Sequence, residues 1–189
     1  MLKFGLLDAI LILLTENIDG ILIKETLWTL SNITNQNNSI EIVDKVASKG
    51  IYQIVLNILI FAFNQDKNEK IKHILINGLY FFTYSILLGM GVLKMGLNES
   101  DVIDILLLGL VENKNNYDLV IDLLKSLVEY IDREKDISNY KNISVIKIIL
   151  QSKFYPIINE MYNNTKDKEI LEFTGQILNE VEGKMDENF

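Results

Sequence analysis

The hydrophobic positions of this chain recur three and four residues apart along most of its length. In residues 21–34, for example, Ile23, Leu27, Leu30 and Ile33 fall on one side of a helix. Spacing of this kind is typical of amphipathic α-helices. No run alternates between apolar and polar residues for long enough to predict a strand. We therefore expect an all-α protein.

Ten segments carry the helical pattern, and charged, Asn-rich or Gly-containing turns separate them. A single proline in the chain favours long, unbroken helices. We predict helices over residues 2–14, 21–34, 40–48, 51–63, 71–88, 100–111, 117–131, 143–151, 154–163 and 168–181. Residues 133–142 are expected to form a polar loop, and residues 183–189 an acidic tail.

The long helices align with one another at a regular period. Trp28 aligns with Tyr80, and Asn32 with Tyr84, at an offset of 52 residues. Two further copies place Lys125 and Gly175 at the Trp28 position, and Glu129 and Asn179 at the Asn32 position. Periods in the forties, with up to three helices per unit, are typical of armadillo repeats.

The period predicts a single domain over residues 1–182, with approximate repeats 1–38, 39–90, 91–136 and 137–182. We expect the first repeat to be incomplete, without its opening helix. Because each unit buries its apolar face only against its neighbours, the expected architecture is an armadillo/HEAT-like, right-handed superhelical solenoid of about four repeats.

Residues 24–34, KETLWTLSNIT, closely resemble the third helix of an importin-α armadillo repeat. The run IVDKVASKGIYQIV at residues 42–55 is similar to the turn between the first and second helices of the next repeat. Residues 119–181 are similar to the last two repeats of that family. The resemblance implies an adaptor that recognises Lys/Arg-rich nuclear localisation peptides in the cytoplasm and nucleus.

The residue chemistry of the Trp28 helix fits the site that this resemblance implies. The Asn32 carboxamide can hydrogen-bond both the N–H and the C=O of an extended peptide. The Trp28 ring offers an apolar face and a quadrupole to a lysine side chain. We expect one surface to carry Trp28, Asn32, Glu25, Tyr80, Tyr84 and Asn77. The alternative for Trp28 is packing against a neighbouring helix, the commonest role of a helical aromatic residue.

Several features depart from the family and favour a second hypothesis. Only the Trp28/Asn32 pair is intact, Lys125 would repel a basic peptide, and the basic carrier-binding segment of the family is not found. The chain could instead be a structural scaffold subunit that retains the fold. Its N-terminal helix is apolar on most sides, so we expect another chain or a second copy to cover Leu6, Leu7, Ile10, Leu11, Leu13 and Leu14.

Composition narrows the function classes. The net charge of −8 argues against a nucleic-acid partner and is compatible with a basic protein or peptide. There is no cysteine, no phosphate-binding loop and no metal-ligand cluster, so we expect no enzyme, no cofactor and no metal site. The single histidine, His73, is interpreted as a surface residue. The uncharged residues 74–93 are long enough to span a membrane, but a buried helix of a helical stack has the same composition.

Overall fold

A computed structural model describes residues 5–16, 19–35, 40–89, 95–138, 144–151 and 154–186. These residues form ten α-helices and no strand, so the all-α prediction is confirmed. The helices are α1 (Leu6–Glu16), α2 (Gly20–Ile33), α3 (Ile40–Ser48), α4 (Ile51–Phe63), α5 (Glu69–Leu87), α6 (Glu99–Glu112), α7 (Tyr117–Ser138), α8 (Ser144–Gln151), α9 (Phe154–Asn164) and α10 (Lys168–Asp186).

The contacts divide the chain into two compact units, Met1–Asn98 and Glu99–Phe189, which we call unit 1 and unit 2. The predicted single domain and its repeat boundaries stay predictions. Most of the Asn-rich turn between α2 and α3 lies outside the described residues.

Unit 1 contains α1 to α5, and its most extensive contact joins the two helices α2 and α5. The helix α1 packs on α2 and α4, while α4 also packs on α3 and α5. At its start, α2 meets the start of α5, since a Cβ at Gly20 would lie 2.6 Å from Lys70 Cδ. One turn further, Asn77 Nδ2 donates to the Lys24 carbonyl at 3.1 Å. The two helices therefore run side by side in the same direction.

An aromatic cluster fills the interior of unit 1. The Tyr52 ring stacks on Phe81 with the centroids 4.8 Å apart, and it contacts Phe82 at 5.9 Å. The Tyr52 hydroxyl donates to Ser85 Oγ at 2.8 Å, and Ser85 in turn donates to the Phe81 carbonyl at 2.7 Å. Burial raises the pKa of Tyr52, so the phenol stays neutral and can serve as a hydrogen-bond donor.

Unit 2 repeats the pairing of long helices. The helix α7 packs on α6, α8 and α10, and α10 also packs on α8 and α9. Lys125 of α7 meets Glu169 of α10 at 3.1 Å, and Lys135 meets Glu180 at 2.5 Å. Both contacts join residues about 45 positions apart, so α7 and α10 also run in the same direction.

Several helix ends differ from the sequence-based boundaries, most of them by one or two residues. The helix α7 continues to Ser138, through residues predicted as a loop, because Glu129 pairs with Arg133 and Lys135 pairs with Asp132 on its own surface. The helix α10 continues to Asp186, into the predicted tail, and α5 begins two residues early at Glu69. The Asn68 side chain caps α5 by accepting from the Ile71 N–H at 3.0 Å.

Coverage of the N-terminal helix by a partner stays a prediction, but three of the six side chains expected to need it are buried within unit 1. Leu7, Ile10 and Leu14 are buried on the side of α1 that meets its neighbours, so they are not available to a partner. Leu11 and Leu13 are half-buried, whereas Leu6 is 37% exposed. Ile12 was not among the residues expected on this surface, and it is 50% exposed.

No single helix within the described ranges is long and apolar enough to cross a membrane, although α3 and α4 together pass that test as a pair bent by 77°. The uncharged stretch that suggested a membrane span lies largely in α5. There Leu75, Leu79, Phe82 and Ile86 are buried inside unit 1.

Gly78 allows α4 and α5 to approach closely, so Gly78→Ala should destabilise the protein. The added Cβ would lie 2.6 Å from Leu59 Cδ2, and Leu59 is fully buried and cannot swing outward. We expect a loss of about 1–3 kcal/mol in the free energy of unfolding, measured by thermal unfolding followed by circular dichroism.

Gly183→Ala is the matched control. It also lies inside a helix, but its added Cβ meets no atom of the described chain within 4 Å. This substitution should stabilise the protein by about 0.5–1 kcal/mol. A Gly78→Ala variant as stable as the unchanged chain would contradict the close approach of α4 and α5.

Candidate functional site

The helix α2 presents Trp28 to solvent while its opposite face is buried. Asp19 caps the helix by accepting from the Ile21 N–H at 2.8 Å. Leu27 and Leu30 are fully buried, whereas the Trp28 side chain is 55% exposed. The predicted placement of the tryptophan away from the apolar stripe is confirmed. Packing inside the unit therefore does not account for most of the indole surface.

The Asn32 side chain lies on the same exposed side of α2 and is bonded to its own helix. Its Nδ2 donates to the Trp28 carbonyl at 3.0 Å, and Ser31 Oγ donates to the same carbonyl at 2.8 Å. The carboxamide nitrogen carries two N–H groups, and this local bond occupies one of them. The prediction that Asn32 binds the backbone of an extended peptide stays a prediction.

Trp28 borders a depression of about 240 Å3 between α2 and α5. Two other predicted site residues, Glu25 and Asn77, line this depression as well. The Nδ2 atom of Asn77 donates a hydrogen bond to the Lys24 carbonyl. The Oδ1 atom of the same carboxamide can accept a hydrogen bond from a ligand. The structure thus brings together three of the six residues expected at the site.

Two lining residues were missed by the sequence analysis, Lys24 and His73. His73 is exposed on α5 one turn before Asn77, so the four-residue spacing of the two side chains was the available signal. Lys24 forms an ion pair with Glu25 at 2.8 Å. The one carboxylate of the depression is therefore already neutralised by a neighbouring cation.

The two tyrosines predicted for the site lie further along α5. Tyr80 and Tyr84 follow Asn77 by about one and two turns, and both are half-buried. Their rings stack on each other with the centroids 5.4 Å apart and the planes 27° apart. They extend the aromatic surface of α5 beyond the depression that Trp28 borders.

The corresponding positions of unit 2 are occupied by internal contacts. Lys125 pairs with Glu169 at 3.1 Å, and its ammonium lies 5.5 Å from the centre of the Phe173 ring. Asp122 lies in the same neighbourhood, where burial raises the pKa of its carboxyl group and Lys125 opposes that shift. In unit 2, therefore, Lys125 of the chain itself contacts the acidic side chain of Glu169 and the aromatic ring of Phe173.

Asn179, the counterpart of Asn32 in the fourth copy, lines a cavity of about 310 Å3 with Asp132 and Glu180. Lys135 bridges the two carboxylates at 3.3 and 2.5 Å. Burial alone would lower the pKa of Lys135, but the two acids raise it above its usual value. The two carboxylates at this cavity are thus already paired with a lysine of the chain.

The net charge of the protein is not shared evenly between the units. Residues 1–98 contain eight lysines and eight acidic residues, whereas residues 99–189 contain ten basic and eighteen acidic residues. Unit 1 is neutral as a whole, and unit 2 carries the entire net charge of −8. Attraction of a basic ligand to the Trp28 depression must therefore come from local contacts.

Within the described ranges no three His, Asp or Glu side chains gather closely enough to hold a metal ion. Comparison of the chain with family models, with curated proteins and with solved structures gave no match.

The exposure of Trp28 has a direct spectroscopic consequence, because it is the single tryptophan of the chain. Acrylamide should quench its fluorescence with a constant approaching that of free N-acetyltryptophanamide. Unfolding in guanidinium chloride provides the control and should raise the constant only modestly. Strong protection in the folded protein, with a large rise on unfolding, would show that the indole is buried.

Proposed function

We propose that this chain is a non-enzymatic binding module of the armadillo-repeat type, similar to importin-α, that holds an extended segment of a partner protein against α2 and α5. The observation that carries the proposal is the exposed Trp28 ring beside Glu25 and Asn77 in one depression. An indole face, a carboxylate and an amide carbonyl are together suited to a lysine or arginine side chain and an adjacent backbone N–H.

The packing within each unit supports the armadillo part of this proposal. Contacts between α2 and α5 join residues 50–54 positions apart, and those between α7 and α10 join residues 44–48 positions apart. These separations are close to the repeat offsets in the sequence. In an armadillo array the third helices of successive repeats stack in the same direction, as both pairs do here.

The electrostatics restrict the kind of ligand. Since Lys24 neutralises Glu25, a run of several lysines would gain little at this depression. One long cationic side chain over Trp28 is better suited, because the indole contributes apolar contact as well as charge attraction. The adaptor role in nuclear import, with residence in the cytoplasm and nucleus, is the form of this function that the resemblance to importin-α suggests.

A fluorescein-labelled peptide with a lysine in an extended, uncharged context tests the proposal by fluorescence anisotropy. Trp28→Ala should weaken binding by about 1–2 kcal/mol, and combining it with Asn32→Ala should abolish measurable binding. A peptide with norleucine in place of the lysine keeps the aliphatic chain, so its affinity measures the contribution of the charge.

Tyr117→Ala is the matched control, because it removes another exposed aromatic side chain, 60% accessible, from unit 2. This variant should bind the peptide as the unchanged chain does. If the Trp28→Ala/Asn32→Ala variant bound the peptide as tightly as the unchanged chain, the peptide would not bind at the Trp28 depression.

A scaffold function is the second candidate, and the distribution of exposed apolar side chains favours it. In the part of the chain that the structure describes, eight of the eleven large exposed apolar side chains belong to unit 1: Leu6, Ile12, Ile21, Leu22, Trp28, Ile40, Ile60 and Phe61. Exposed apolar surface costs about 25 cal/mol per Å2 relative to burial. We propose that another chain or a second copy covers part of this unit.

Light scattering and a hydrophobic dye test the scaffold function. The purified chain should self-associate at micromolar concentration, or bind the dye as a monomer, because Leu6 and Ile12 leave apolar surface on α1. Replacing both residues with Gln should reduce either signal. A monomer that does not bind the dye would show that unit 1 needs no partner.

A further inference from the structure

Unit 1 contains a cavity of about 480 Å3 between the start of α2, the helix α4 and the start of α5. This volume lies in the range of about 300–1,000 Å3 that small-molecule sites occupy. The walls are mainly aliphatic and are formed by five isoleucines, Ile23, Ile54, Ile58, Ile71 and Ile74. The cavity is separate from the Trp28 depression and shares no lining residue with it.

An aromatic side chain at this cavity is incompletely packed. Phe61 lines the cavity while 64% of its side chain is exposed, the largest exposure of any large hydrophobic residue described. Leu59 and Ala62 are buried, whereas the adjacent Ile60 is 41% exposed, so Ile60 and Phe61 together form an exposed apolar patch near the end of α4. A ligand with an apolar chain would cover this ring.

The polar groups of the lining determine the sign of the ligand charge. Lys70 is the one charged residue there, and its ammonium forms no ion pair with any part of the chain that the structure describes. Asn57 accepts a hydrogen bond from Gln53 Nε2 at 3.1 Å through its Oδ1 atom, which leaves its amide NH2 as a donor. Two donors and no acid at an aliphatic cavity suit a carboxylate.

The Lys70 side chain lies in the space that is left free because Gly20 has no side chain. A Cβ at residue 20 would lie 2.6 Å from Lys70 Cδ and 3.3 Å from Lys70 Cγ. The aliphatic part of the lysine therefore rests against the backbone at the start of α2, and the residue belongs to the lining of the cavity.

We propose that this cavity binds a single-chain amphiphile with a carboxylate head, such as a medium-chain fatty acid. The chain lies among the isoleucines and under Phe61, and the head accepts hydrogen bonds from Lys70 Nζ and Asn57 Nδ2. One cation matches a monoanion, and the aliphatic walls match an unbranched alkyl chain. This site is independent of the proposed peptide-binding function.

Isothermal titration calorimetry with decanoate, kept below its micelle concentration, tests the proposal on the full chain. Binding should saturate at one equivalent, and decyltrimethylammonium, with a positive head on the same chain, should bind more weakly. Lys70→Met keeps the aliphatic stem and removes the charge, so it should weaken decanoate binding about two- to fivefold. Ile71→Trp fills the cavity and should abolish binding.

Two controls make the result specific to this cavity. Lys72→Met removes a lysine from the same helix that is exposed and paired with Glu69 at 2.7 Å, and it should leave decanoate binding unchanged. Trp28→Ala should also leave it unchanged, since Trp28 lies outside the cavity. Circular dichroism confirms that the Ile71→Trp variant is folded, and Ile58→Trp replaces it if it is not.

Three results would overturn the proposal: no saturable binding of decanoate, equal binding of the cationic amphiphile, or full binding by a folded variant whose cavity is filled. The first of these is also the result expected if a protein partner covers Phe61. Failure of the lysine peptide to bind, with decanoate binding intact, would count against the proposed function alone.

Discussion

The side-by-side contact of α2 with α5 is the constraint on which the rest of unit 1 depends. It is the most extensive helix contact of the unit, and the absence of a side chain at Gly20 lets the two helices meet at their starts. The hydrogen bond from Asn77 to the Lys24 carbonyl then sets their register along the shared direction. Because of this register, Trp28 of one helix and Asn77 of the other border the same depression. A shift by one turn would separate them.

Both units use the same arrangement of long parallel helices, but different chemistry lies on them. In unit 1 the aromatic residue Trp28 is left exposed, while in unit 2 Lys125 already covers Phe173 and pairs with Glu169. Lys135 similarly bridges two acids of unit 2. The aromatic ring that a ligand lysine would contact is thus covered internally in unit 2 and exposed in unit 1, although Glu25 of unit 1 is paired with Lys24. This difference favours unit 1 for the candidate peptide site.

Much of the fold could be read from the sequence, because hydrophobic spacing reports helices directly. The helix boundaries were harder to predict from the sequence where pairs of side chains determine them. The Glu129–Arg133 ion pair, for example, stabilises the extended end of α7. For the site, helical spacing and the repeat offset predicted that Trp28 is exposed and that Glu25 and Asn77 lie on the same surface. The four-residue spacing of His73 and Asn77 was a signal for His73 as well. The ion pair between Lys24 and Glu25 could not be predicted, since it depends on which rotamers the two side chains adopt. The cavity lined by Phe61 and the five isoleucines could not be predicted from the sequence either, because three helices form it.

The uneven distribution of charge between the units also affects how each would respond to ionic strength. Screening by salt acts over about 10 Å at 0.1 M and weakens interactions that rely on net charge. A partner attracted to unit 2, with its eighteen acids against ten basic residues, would dissociate as salt rises. A partner held at the neutral unit 1 by the Trp28 ring or by the isoleucine cavity would be much less affected, because apolar contact is not screened. The salt dependence of any interaction of this protein therefore reports which half of the chain is responsible for it.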